Sequence, residues 1–141
     1  MVKPATLVDL TWTGDLIFSA QTPDGRVLIT DGRSHTGLSP VELLAVAAAA
    51  CMAVDVVHIL GKSRYPPTAM RAQFSGERAQ AEPHRFVAVR LTFDIEGGAP
   101  QAVVDRAVQL SRDKYCSVWN SLREDVTLEV ITRLHAPAAG A

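Results

Sequence analysis

The sequence predicts an α+β fold, and three observations carry that reading. Apolar and polar residues alternate across residues 1–30 and again between Met70 and Ile95, which is the period of half-buried strands. Between these stretches, a helix start at Ser39-Pro40 leads into Leu43–Val54, an apolar run without a charge. The 141 residues are 48% hydrophobic, enough for one domain spanning 1–141 with a core of its own.

In chain order, Val8, Leu10 and Trp12 alternate with Asp9 and Thr11, Leu16 and Phe18 repeat the pattern, and Val27–Thr30 follows the turn signal Pro23-Asp24-Gly25. Residues 1–30 are therefore expected to form N-terminal strands. Asp31–Gly37 is polar and glycine-containing, a loop ahead of a helix and a usual place for functional side chains. Ser39 can cap, Pro40 suits the first helical position, and Glu42 completes a capping box. The central helix should span 39–62 and, being apolar all round, lie buried on most sides. Past Tyr65-Pro66-Pro67 the period returns to two. Met70, Ala72 and Phe74 pair with the strand of Val87, Val89, Leu91, Phe93 and Ile95 as an antiparallel hairpin. A second helix turns Val103, Val104, Ala107 and Leu110 inward, and a short third helix carries Cys116, Val118, Trp119 and Leu122. Val126, Leu128 and Val130 form the last strand, and 135–141 reads as a flexible tail.

Fourteen Lys+Arg stand against fifteen Asp+Glu, for a net charge of −1, with the basic residues scattered. No phosphate-binding stripe follows, so a nucleic-acid partner is not expected. The N-terminal residues lack the charged, apolar and small-residue zones of a secretory signal. The run Leu43–Val54 is short for a bilayer span, so neither a membrane nor export is expected and the location expected is cytoplasmic. Cys51 and Cys116 lie far apart in sequence, in neither a CxxC nor a Cys/His cluster, which is a poor match to a zinc site. No metal and no bound cofactor is expected. In a reducing compartment such a pair is either two inert thiols or a catalytic or sensing pair.

The order of these features is similar to that of the OsmC/Ohr family. The local wording agrees in two places: Ser39-Pro40-Val41-Glu42-Leu43-Leu44, Ala50-Cys51 and Asp55–Leu60 resemble the central helix of its less-studied branch, and Ala107–Val118 resembles the segment of its second cysteine. The resemblance runs from about Ser39 to Leu134. It implies antiparallel sheets wrapped around long buried central helices in an intertwined homodimer with exchanged N-terminal strands. It also implies a thiol-dependent peroxidase: Cys51 attacks an organic hydroperoxide, Cys116 resolves the product as a Cys51–Cys116 disulfide, and an external dithiol such as a lipoyl group reduces it.

Taken residue by residue, the chemistry is less one-sided. Cys51 lies too deep in its helix for the dipole to favour a thiolate, Asp55 one turn on opposes one, and His58 is too remote to be its base. Cys116, at the start of a predicted helix, is by itself the better nucleophile. The family places an arginine in the loop before the central helix, which points to Arg33 as the activator of Cys51, with Arg26 as the fallback. Strong peroxidases of the family pair that arginine with a glutamate directly after the helix-start proline. Here Val41 stands there, so Arg33 is expected to be less well held and turnover slower. His58, His84 and His135 are read as structural or surface residues, and Trp12, Trp119 and Tyr115 as core or interface. Two other classes stay open: a non-catalytic small-ligand-binding or stress-related protein of the same fold, and a hot-dog-type thioesterase.

Overall fold

The computed structural model describes residues 2–137. The chain forms two compact units, Met1–Leu44 and Ala45–Ala141.

The first unit is an antiparallel meander of β1 (Asp9–Gly14), β2 (Ile17–Gln21) and β3 (Val27–Asp31). The β1 and β2 strands meet Leu10 to Ala20 and Trp12 to Phe18, then β2 meets β3 at Ala20–Leu28 and Phe18–Thr30. Leu10, Trp12 and Leu28 thus share one face of the sheet, and all three are exposed. Beyond β3, the buried Asp31 carboxylate accepts hydrogen bonds from the backbone N–H groups of Arg33 (2.9 Å), His35 (3.1 Å) and Thr36 (2.9 Å). These donors hold its carboxyl well below the usual carboxylate range and fix the loop that carries Arg33. Gly37 closes the loop against β3, where a Cβ would stand 2.7 Å from the Ile29 carbonyl oxygen.

Helix α1 (Pro40–Lys62) begins where the sequence places it. Ser39 and Glu42 form the reciprocal capping box: Ser39 N–H donates to Glu42 Oε1 at 2.9 Å, and Glu42 N–H donates to Ser39 Oγ at 3.2 Å. Ser34 Oγ donates a second bond to the same Glu42 oxygen at 2.6 Å, and the bonds that Ser34 and Ser39 make to Glu42 lower its pKa. Ser39→Ala is expected to cost about 0.5–2 kcal/mol in urea unfolding, the usual worth of a cap, and Glu42→Ala to destabilise in the same direction.

In the second unit β4 (Ala69–Arg78) and β5 (Phe86–Glu96) form the antiparallel hairpin, and β6 (Thr127–His135) adds beside β5. This last pairing is parallel, so the sheet is mixed where antiparallel sheets were expected. The reason is the connection: the chain leaves β5, crosses through helix α2 (Gln101–Leu110) and returns in the same direction. The β5 residues Val89, Leu91, Phe93 and Ile95 are buried in one core with Met52, Val56 and Leu60 of α1 and Val104 and Ala107 of α2. Phe74 and Phe86 meet edge to face, with ring centroids 5.5 Å apart, over Gly76, where a Cβ would lie 2.6 Å from the Phe86 ring.

Two expectations for this unit need correction. The short third helix does not form as such: α2 loosens into a π turn at Ser111–Tyr115, Cys116 is extended, and a 3-10 turn follows at Trp119–Ser121. His135 is the last residue of β6 rather than part of a tail, held by a 3.0 Å contact from its Nε2 to Asp94 Oδ1. The tail expected at 135–141 otherwise falls mainly on 138–141, which lie outside the described residues.

The central helix buries only one stripe in its own chain: Ala48, Met52, Val56 and Leu60. Val46, Ala50, Val54 and Val57 form a second apolar stripe at helical spacing, and it is exposed. Val54, Val57, Ala53 and His58 line an open groove there with Met70 and Ala72 of β4. By length and composition alone α1 is apolar enough to cross a membrane, because it extends well beyond the run Leu43–Val54. Its other stripe is nevertheless packed into the protein core.

Candidate functional site

Folding brings the two cysteines together. The Sγ atoms of Cys51 and Cys116 and a carboxylate oxygen of Asp55 all lie within 4.8 Å of one another, and both cysteines are free thiols. Each partner arrives by a definable route. Cys51 and Asp55 are four residues apart on α1, one above the other on the same face. At about 100° per residue that face flanks both the buried stripe and the exposed apolar stripe.

Cys116 is delivered by the π turn, whose wider winding ends with Cys116 N–H donating to the Ser111 carbonyl at 2.8 Å. Asn120 Nδ2 stitches the turn by donating to the carbonyls of Arg112 (3.1 Å) and Cys116 (2.8 Å). The first residue of the turn, the fully buried Ser111, donates its hydroxyl to Asp55 Oδ2 at 2.8 Å. One irregular turn therefore places both the second cysteine and the group that orients the carboxylate.

The electrostatics reverse the expectation that Cys116 is the readier nucleophile. Cys116 is 0% exposed, whereas Cys51 is only partly buried. Burial pushes the Cys116 thiol up to about 11. The Trp119 N–H, which donates to Cys116 Sγ at 3.3 Å, pulls the other way, and neighbouring Cys51 and Asp55 add to the rise. Because Cys116 follows a π turn rather than opening a helix, this single N–H replaces the ring of donors expected at a helix start. Alkylation of the reduced protein with iodoacetamide, read by mass spectrometry at each cysteine, should label Cys51 first. Labelling at Cys116 should run about 100-fold below an ordinary thiol at pH 8, since a rise from 9.0 to about 11 leaves about a hundredth of the thiolate. The Cys116 rate should then climb roughly tenfold per pH unit until pH approaches 11.

The arginines are held by carboxylates of their own unit. Arg33 Nη1 lies 3.1 Å from Asp15 Oδ2, both half-exposed, which gives it an acid in the β1–β2 turn where Val41 offers none. Arg26 pairs with Asp24 at 3.1 Å on the surface. Glu42 is occupied by the capping box and Ser34.

Two residues of the cluster escaped the sequence reading. Asp55 drew notice only as an unfavourable neighbour of Cys51, although a carboxylate in the apolar middle of the helix, one turn from a cysteine, was the available signal. Ser111 carries no local signal, since its role exists only once the π turn forms.

This mixed fold and its paired cysteines define an OsmC-like protein. The family model described as OsmC-like protein matches residues 32–131, and the chain belongs to that family. It is similar to protein YhfA of Escherichia coli K12, with 35% identity over 119 residues, 83% of this chain and 89% of the relative. A hypothetical protein from Aquifex aeolicus VF5 superposes with a TM-score of 0.87 at 26% identity, over 96% of this chain and 100% of that one. An organic hydroperoxide resistance protein OsmC from Legionella pneumophila shares the fold, with a TM-score of 0.65 at 18% identity over 98% and 100% of the two chains. The hot-dog alternative falls with this assignment.

Proposed function

We propose that the protein is a thiol-dependent reductase of organic hydroperoxides, with Cys51 as nucleophile and Cys116 as resolving thiol. The observation that carries this reading is the approach of two free sulfurs, one reachable and one buried, to within 4.8 Å. In the first step the Cys51 thiolate attacks the outer peroxide oxygen, the O–O bond breaks, and the alkoxide leaves and takes a proton as an alcohol. Cys51 is then a sulfenic acid. In the second step Cys116 loses its proton and attacks the Cys51 sulfur, and hydroxide leaves as water with the disulfide formed. An external dithiol of the lipoyl kind restores both thiols and is itself oxidised to a disulfide. The high pKa of Cys116 suits this order, since a thiol kept protonated at neutral pH leaves the first attack to Cys51.

The activator proposed for Cys51 is Arg33, held in place by Asp15 and by the Asp31 loop. The assembly proposed is a homodimer, supported by the apolar stripe of α1 and the apolar face of the β1–β3 sheet that one chain leaves exposed.

The test is a thiol count before and after one equivalent of cumene hydroperoxide. Both thiols should disappear as one intramolecular disulfide, and Arg33→Met should slow the loss. Two thiols that survive equimolar hydroperoxide would leave the non-catalytic reading of the fold in its place.

A further inference from the structure

We propose that the reduced cysteine pair and Asp55 form a binding site for a borderline divalent cation of the zinc class, present only while both cysteines are thiols. It does not depend on the peroxidase reading. The three potential ligand atoms are two sulfurs and one carboxylate oxygen, a donor set suited to zinc. Tetrahedral zinc, with bonds of about 2.0–2.3 Å, holds such atoms roughly 3.5–3.8 Å apart. The mutual distances here, all within 4.8 Å, need a contraction of about 1.3 Å at most to reach that arrangement.

The surroundings are those that orient metal ligands. Ser111 Oγ holds Asp55 Oδ2 at 2.8 Å, which leaves the carboxylate's other oxygen to turn toward the sulfurs. The Trp119 N–H points at Cys116 Sγ from 3.3 Å and would stabilise it as a bound thiolate. Cys51 and Asp55 sit at i and i+4 of a rigid helix, while Cys116 closes the site from the π turn. With three protein ligands, a fourth position is left for water or a small anion.

Binding is an exchange of protons for metal without electron transfer: the two thiols release two protons and become zinc thiolates. Oxidation to the disulfide removes both sulfur donors at once, so the same event that consumes the thiols releases the ion. The cation in turn occupies the sulfur lone pairs that an oxidant would attack.

Metal-free, fully reduced protein is titrated anaerobically with Co²⁺ and then Zn²⁺, reading the sulfur-to-cobalt charge-transfer band and its displacement by zinc. One ion per chain is expected. Cys51→Ser and Cys116→Ser should remove most of the band, and Asp55→Asn should weaken zinc binding about 10–100-fold. Protein oxidised with diamide should bind none. Binding no tighter than in the double serine variant, or unchanged by diamide, would overturn the proposal, as would wild-type affinity in folded Asp55→Asn. Should Asp55→Asn fail to fold, Ser111→Ala keeps all three ligands. A loss of about tenfold or more there supports the site, and an unchanged affinity overturns the orientation of Asp55 by Ser111 on which its part rests.

Discussion

Cys51→Ser is expected to lower hydroperoxide consumption by roughly a thousandfold or more, the scale on which loss of an attacking nucleophile acts. Cys116→Ser should instead consume about one equivalent per chain and then stall, because the sulfenic acid on Cys51 forms without a partner to condense with. The asymmetry follows from burial. Cys116 is fully enclosed, and burial, the first cause that raises its thiol, persists without Cys51, so it is not expected to replace Cys51 at neutral pH even though the two sulfurs are close. A dimedone-type probe distinguishes the outcomes: it should trap Cys51 in Cys116→Ser, trap nothing in Cys51→Ser, and trap Cys51 only transiently in the wild type. Equal single turnover in both serine variants would mean that either sulfur can act, and the burial argument would fail.

The elements that announce themselves by local chemistry were legible in the sequence. Ser39, Pro40 and Glu42 mark the start of α1 because a capping box is a matter of neighbouring residues, and its hydrogen bonds form as expected. The β4–β5 hairpin shows in the period of Val89, Leu91, Phe93 and Ile95. The direction of β6 was not legible, since parallel pairing is decided by the path of the crossover and leaves no mark on the strand itself. Both cysteines were identified with the roles the family resemblance implies, and only the reading of Cys116 by itself as the better nucleophile was inverted. That inversion turned on one feature, the π turn at Ser111–Tyr115, because a helix and a π turn differ little in sequence while exposing different N–H groups to Cys116. Asp15 as the partner of Arg33 went unseen for a related reason: the pairing joins the β1–β2 turn to a loop beyond β3, and only the meander brings them together.

Val54→Asp should convert the protein from a species with the mass of two chains to a monomer or an unfolded chain in sedimentation velocity at micromolar concentration. Val54 is 66% exposed in the single chain, and as a surface residue its replacement would change stability by no more than about 0.5 kcal/mol. The neighbours argue for a different fate. Val46, Ala50 and Val57 continue the same stripe, and a helix with two apolar stripes can bury only one of them in its own core. Trp12, 64% exposed beside Leu10 and Leu28, gives the β1–β3 sheet a second uncovered apolar face. If another copy covers the helix stripe, an aspartate at Val54 is a charge without a partner in a desolvated contact, at a cost of several kcal/mol. The same geometry explains the position of Cys51, which lies on the flank of that stripe: covering the stripe would narrow the approach to the sulfur while leaving it reachable from the edge. A wild-type protein that sediments as a folded monomer would rule out the covered stripe. A Val54→Asp variant that stays dimeric and as stable as the wild type would move the interface to another face.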